Sequence, residues 1–329
     1  MSKAAGIIGT GSYLPEKIVT NYDLEKIMDT NNDWIVDRTG IERRRIADKD
    51  VASSDLGVKA ASFALEDAGV EAEEIDLIIT ATLSPDMNFP STACIIQERI
   101  GAFNAAAFDL EAACTGFIYG LTTARAFILS GQAQKVLVVG VEVLSKLINW
   151  EDRKTAVIFA DGAGAAVVSN VEGNEGIIST ALGADGKGGK FLYMPAGGTR
   201  MPATHDTIEK KQHAIIMDGS EVFKFASRKM AEISETAVGK CGLSLKEIDY
   251  MVPHQANIRI IKNAAKRMNI PMDRVYLNIQ EYGNMSAASV PVALDEAVKK
   301  GCINNGDNIL LVGFGAGLTW GAAVIKWGK

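Results

Sequence analysis

Histidine is scarce in this 329-residue chain, with three in all, and cysteine is little commoner, with four. Cys94, Cys114, Cys241 and Cys302 are far apart and form no CxxC pair, which argues for reduced thiols and against a disulfide framework or metal site. Each cysteine is by default a small buried apolar residue. Positive charge is not in excess, since 34 Lys and Arg face 40 Asp and Glu for a net −6; general nucleic-acid binding, which needs a basic surface, is excluded. No run approaches the ~18 apolar residues of a membrane span, and MSKAAGIIGTGSYLP has neither the apolar stretch nor the cleavage site of a secretory signal. The expectation is a cytoplasmic protein that binds no membrane. Proline is also sparse, with 8 residues.

Hydrophobic residues make up 47% of the chain, enough for one large domain or two closely packed ones. Short β-branched runs at 76–83, 135–143, 250–253 and 308–314 read as strands. Helical stretches follow Ser54, Cys114, Glu221, Ala256 and Asn284. This alternation predicts an α/β fold with largely parallel, buried strands. The pattern is also written twice. EEID at 73–76 recurs as KEID at 246–249, SGQAQKVLVVG at 130–140 as NNGDNILLVG at 304–313, and DGAGAAVV at 161–168 in GAGLTWGAAVI at 315–325. The first two pairs share one offset, since 249 − 76 and 313 − 140 both give 173. A duplicated unit is expected, with halves at 1–172 and 173–329, and a site can form where equivalent turns face each other.

FDLEAACTGFIYGLTTARAFILSG (108–131) reads as a strand end, a tight corner and a long apolar helix, which places Cys114 at the helix N-terminus. Free amides and the dipole there are expected to lower its pKa and to hold an oxyanion. Position alone leaves Cys114 open between a nucleophile and a packed corner residue. His254 follows a strand in YMVPHQAN, at the carboxyl end where α/β sheets place ligands, although a structural histidine would look the same. His205 and His213 fall in a polar stretch read as a surface loop. Asn284 follows a Tyr-Gly turn; 284 − 173 is 111, so it occupies nearly the corner of Cys114 in the other half, with helix capping as the plain alternative. Arg259, Lys262 and Lys266, extended by Lys224 and Arg267, make a basic stripe that is either a solvated face or a seat for an acidic partner.

AACTGF, VPHQANIRI and YGNMSAAS resemble the three active-site motifs of the β-ketoacyl-acyl carrier protein synthase III family, of the thiolase fold. The likeness continues through GIIGTGSYLPEKIVTN, DWIVDRTGIERRR, FPSTAC and WEDRKTAVIFADGAGAAVV and covers essentially the whole chain. The resemblance implies a five-layer α-β-α-β-α arrangement of mainly parallel mixed sheets, and the condensation of a short acyl-CoA with malonyl-acyl carrier protein. Cys114 would carry the acyl group, while His254 and Asn284 would stabilise the enolate formed on decarboxylation. The amides of Cys114 and Ala316 would form the oxyanion hole. Trp34 and Arg153 would sandwich the CoA adenine, Arg38 would meet its phosphates, and Phe223 and Asn257 would line the pantetheine tunnel. Phe89 would reach across a homodimer interface into the partner's acyl pocket. The carrier protein would meet Lys224, Gln255, Ala256, Asn257, Ile258, Arg259, Lys262 and Lys266. Acyl-CoA is implied as a substrate, with no resident cofactor. Two departures stand out: Met285 replaces the usual threonine, with an expected effect on the acyl pocket or on the orientation of Asn284, and Ala316 interrupts a Gly-Gly-Gly turn. A Cys-His-Asn set also suits a thiol hydrolase, and a polyketide acyl-loading enzyme would share the fold.

Overall fold

The computed structural model describes residues 4–173 and 175–329. One sheet contains β1 (Ala4–Tyr13), β2 (Leu77–Ala81), β3 (Ala106–Leu110), β4 (Lys135–Val143) and β5 (Asp161–Val171), in the spatial order β1-β5-β4-β2-β3. The other contains β6 (Gly176–Ala184), β7 (Tyr250–Pro253), β8 (Asn308–Gly315) and β9 (Thr319–Lys326), ordered β7-β8-β9-β6. The two orders match strand for strand except at β3, whose place beside β7 is taken by a single parallel bridge between Met251 and Val275. β2 runs parallel to β3 and β4, and β7 to β8, but the other four pairings are antiparallel. The sheets are therefore mixed, where largely parallel strands were expected. The reason is plain at β8 and β9: three residues join them, and a connection that short only permits an antiparallel hairpin.

The main helices are α1 (Asn32–Thr39), α2 (Ser53–Ala68), α3 (Thr92–Ile100), α4 (Gly116–Leu129), α5 (Gly219–Lys240), α6 (Ile258–Met268) and α7 (Ser289–Lys299). α4 and α7 form the central layer. Phe117, Leu121, Val290 and Leu294 pack on Ile79 and Val138 of the first sheet and on Ile309, Leu311 and Ile325 of the second. Alternate strand residues face outward: Ile78, Leu137 and Val139 meet Leu56 and Ala60 of α2, while Leu310 and Val312 meet Met230 of α5 and Ile261 of α6. Both faces of each sheet are covered, which explains strands written as unbroken apolar runs. Five layers follow: α2 and α3, sheet, α4 and α7, sheet, α5 and α6.

The 173-residue offset persists in three dimensions. β4 and β8 begin at Lys135 and Asn308, and α4 and α7 begin at Gly116 and Ser289. The polar stretch at 199–213 contains a short helix, His205–Glu209, and His213 bonds Thr207 Oγ1 at 3.0 Å. Cys94 is exposed on α3, against the default of burial, while Cys241 and Cys302 are partly covered. No helix among the described residues is long and apolar enough to cross a membrane.

Candidate active site

Two corners meet where α4 and α7 begin. Ala113 and Ser286 are equivalent, and both adopt left-handed backbone (φ 46° and 44°), an uncommon conformation for a residue with a side chain. Each opens a single 3-10 turn, Ala113–Thr115 and Ser286–Ala288, that leads into its helix. Each is pinned by the same device: Glu111 Oε1 accepts from Ala113 N at 3.1 Å, and Asn284 Oδ1 accepts from Ser286 N at 2.8 Å. Cys114 is thus the second residue of one turn, and its counterpart in the other is Ala287.

The Asn284 bond also orients the amide, because a backbone N–H requires the oxygen. Its main chain is tied by Asn284 N to Ile158 O and by Ala160 N to Asn284 O. The Nδ2 remains to donate into a cavity of about 100 Å³ shared with Cys114 and His254. His254, at the end of β7, is fully buried and anchored by its own N–H to Val312 O at 2.8 Å. It packs edge-on to Phe314, and both ring nitrogens lack a partner among the described residues. Unsatisfied buried nitrogens are costly. Burial drives the imidazole pKa down to about 3, so the ring is neutral and offers one donor and one acceptor.

A second, apolar cavity of about 210 Å³ also ends at Cys114 and is walled by Leu83, Leu144, Leu147, Phe159, Leu192 and Ile215. Burial pushes the Cys114 thiol up to about 12; the Ser286 hydroxyl opposes this and the Glu142 carboxylate adds to it. Burial therefore opposes the lowered pKa expected of a helix N-terminus. Ala316 lines the apolar cavity, and its φ is not left-handed, so a methyl group sits there without strain; Gly317 takes the positive φ instead. A side chain on Gly315 would lie 2.7 Å from Cys114 N, which shows how closely this turn approaches the thiol-bearing corner.

The outer residues divide clearly. Trp34 on α1 lies between Arg38 and Arg153, whose guanidinium carbons are 4.9 and 5.1 Å from its ring centroid. Phe223 borders both the smaller cavity and an outer groove edged by Lys224, Lys266 and Arg267. Asn257 lines the smaller cavity and is held by Nδ2 to Arg38 O and by Oδ1 from Arg259 N. Ala256 also faces that cavity, and Ile258 packs on Gly40. Lys262 and Lys266 are exposed, whereas Arg259 is paired with Asp37 at 2.7 Å and Lys224 with Glu221 at 2.7 Å. Gln255 does not belong to a docking surface. It is fully buried, donating to Pro253 O and Tyr276 O and accepting from Asn278 N, because the strand that fixes His254 turns the next side chain inward. Phe89 is 83% exposed and lines neither cavity of its own chain. Met285 is also absent from both linings. It packs with Ala160 and Val292, its sulfur filling the space beside Gly162, so the expected effect on the acyl pocket is not found. Sequence reading misses Ser286 and Glu142, although a lone carboxylate inside KVLVVGVEVL is a signal that marks the latter.

Family models for the C-terminal part of 3-oxoacyl-[acyl-carrier-protein (ACP)] synthase III and for 3-oxoacyl-[ACP] synthase III match residues 238–327 and 108–186. The chain is 60% identical to the β-ketoacyl-[acyl-carrier-protein] synthase III of Caldanaerobacter subterraneus subsp. tengcongensis, over 99% of this chain and 98% of that one. It superimposes on the 3-oxoacyl-[acyl-carrier-protein] synthase III of Aquifex aeolicus with a TM-score of 0.91 and 46% identity, covering 98% of this chain and 100% of that one. The priming β-ketosynthase of the R1128 polyketide pathway gives the same TM-score at 36% identity, covering 98% and 96%. With full-length identity at this level and two matching family models, the chain belongs to the 3-oxoacyl-[acyl-carrier-protein] synthase III family.

Proposed function

We infer that this protein is a β-ketoacyl-acyl carrier protein synthase III, an acyltransferase that starts fatty acid synthesis by condensing a short acyl-CoA with malonyl-acyl carrier protein. The observation that carries the reading is His254: a buried, neutral histidine with both ring nitrogens unpartnered, sharing one cavity with the Asn284 amide and Cys114. Cys114 attacks the primer thioester, the amides of Cys114 and Ala316 hold the oxyanion, and coenzyme A leaves. The malonyl thioester then replaces it. Donors from His254 and Asn284 stabilise the enolate as CO2 departs, and the resulting carbanion takes the acyl group from sulfur. Each donor contributes ~3 kcal/mol, so together they supply an acceleration on the order of 10⁴. A hydrolase would instead need a histidine able to deprotonate the thiol, and a pKa of about 3 does not suit that task.

Arg153 already rests on the Trp34 ring, so stacking a purine between the two requires Arg153 to swing aside, and the outer groove with Lys224, Lys266 and Arg267 suits an acidic carrier protein. Exposed Phe89, Phe103 and Met87 favour a homodimer in which Phe89 closes the partner's apolar cavity. Thiol, imidazole and amide carry the chemistry, with acyl-CoA as substrate and no resident cofactor, in a cytoplasmic enzyme whose halves divide at 172 and 173. The similarity to a polyketide priming synthase favours one second reading, acyl loading for a polyketide. The test is incubation with acetyl-, isobutyryl- and longer acyl-CoAs, followed by malonyl-acyl carrier protein. A stable acyl adduct on Cys114 that converts to β-ketoacyl-carrier protein supports the reading; release of free acid refutes it. Preference for a polyketide carrier protein over the fatty acid one selects the second reading.

A further inference from the structure

The residues assigned so far leave one atom unaccounted for. The Cys114 thiol must lose its proton as the acyl group arrives and recover one as the group leaves, yet His254 is a poor base and serves as a donor. Two buried polar side chains beside Cys114 have no role in that account. Glu142, near the end of β4, is fully buried inside an apolar strand. Its carboxylate has no cationic partner among the described residues and is held by Ser84 Oγ at 2.5 Å, Thr82 Oγ1 at 3.3 Å, Leu83 N at 3.2 Å and Ala287 N at 3.4 Å. It therefore reaches from the first sheet to the turn of the second half. Ser286, in that turn, is 1% exposed, and its hydroxyl closes no hydrogen bond of ordinary geometry. It nonetheless lies near enough to lower the pKa of both the Cys114 thiol and the Glu142 carboxyl. Ser286 lines the apolar cavity together with Cys114, and Glu142 accepts from the amide of the very next residue, Ala287.

We propose that Ser286 and Glu142 form a relay that removes the Cys114 proton during acylation and returns it when the acyl group departs. As the sulfur–carbon bond forms, the thiol proton passes to the Ser286 oxygen and the Ser286 proton passes to Glu142, which becomes a neutral acid. The carbon–sulfur bond to coenzyme A breaks, and the departing thiolate takes a proton from solvent at the tunnel mouth. When the carbanion displaces Cys114, the thiolate recovers the stored proton by the reverse path. Glu142 then returns to a carboxylate, and the balance is closed without an added reagent. Burial holds Glu142 near 7, where it can both accept and give back a proton. The other ionisable side chains on the two cavities do not replace it: Glu111 is exposed and bonded to Ala113 N, Tyr193 lies on the outer wall, and His254 is held neutral.

The relay rests on Cys114 being the acylated group, and rapid-quench acylation by acetyl-CoA across pH 5 to 9 tests it. The wild type should show an acid limb with a midpoint near 7. Glu142→Gln keeps an acceptor oxygen but cannot take a proton, and it should acylate about 10- to 100-fold more slowly and lose that limb. Ser286→Ala should show the same defect, and the double variant no further loss. Should Glu142→Gln fail to fold, Ser286→Ala, which deletes a hydroxyl that makes no hydrogen bond, carries the same test. Wild-type rates and an unchanged limb in the variants would overturn the relay, as would an equal loss at every pH that leaves the limb in place. Absence of any acyl adduct in the wild type would instead refute the proposed function.

Discussion

At His254 two ring nitrogens are left unsatisfied in a place where protonation is strongly opposed, and this sets a measurable linkage between pH and stability. The folded pKa is about 3 against an ordinary 6.5. The unfolded chain therefore binds more protons between these values, and stability falls as pH drops from 6.5 towards 3. Glu142 acts with the opposite sign: its carboxyl is raised from 4.5 to about 7, so the folded state loses stability as pH rises through that interval. His254→Asn should flatten the acid side of a urea-denaturation series by a few kcal/mol. An acid limb as steep as the wild type's would contradict the burial argument. In activity, Cys114→Ser should form no acyl adduct, and Asn284→Ala should still acylate yet decarboxylate malonyl-carrier protein about 10²-fold more slowly. Mass spectrometry of the intact protein and CO2 release separate these two outcomes.

At the scale of elements, the two corners are copies that have diverged in what they carry. Gly140 and Gly313 are equivalent, but a methyl group at Gly140 would lie 2.4 Å from Ala287 O, whereas one at Gly313 would meet only ordinary contacts of 3.4 Å and more. Gly140→Ala should cost about 1–3 kcal/mol in chemical denaturation and misplace Asn284, while Gly313→Ala should be milder on both counts. The repeat, the strand runs at 135–143 and 250–253 and the placing of Asn284 three residues before the equivalent of Cys114 are all legible in the sequence. They depend on local pattern and on a constant offset. Three features are not legible there. The antiparallel pairing of β5 with both its neighbours depends on tertiary packing. The inward turn of Gln255 depends on how the chain leaves β7. The raised thiol pKa depends on burial from both halves, which no local reading of a helix N-terminus can include.

For the whole molecule, the outer groove and the buried thiol are connected through Phe223, which borders both the groove and the smaller cavity. Charge and chemistry are thus separated in space. Replacing Lys262, Lys266 and Arg267 with glutamate should raise the KM for malonyl-carrier protein about tenfold or more, increasingly so at low salt, and leave acylation by acyl-CoA little changed. Steady-state kinetics with each substrate varied in turn would show it, and an equal loss for both substrates would place the carrier protein elsewhere.

The meeting of two cavities at Cys114 also has a consequence for the order of events. The apolar chamber suits an acyl group, and the narrower passage past His254 and Asn284 joins the outer groove to the thiol. Two thioester arms sharing that passage would have to use it in succession, the first product leaving before the second substrate comes in. The expected rate law is ping-pong, with parallel lines in double-reciprocal plots. Free coenzyme A should compete with malonyl-carrier protein for the acylated enzyme even though the two share no outer contact beyond the passage itself.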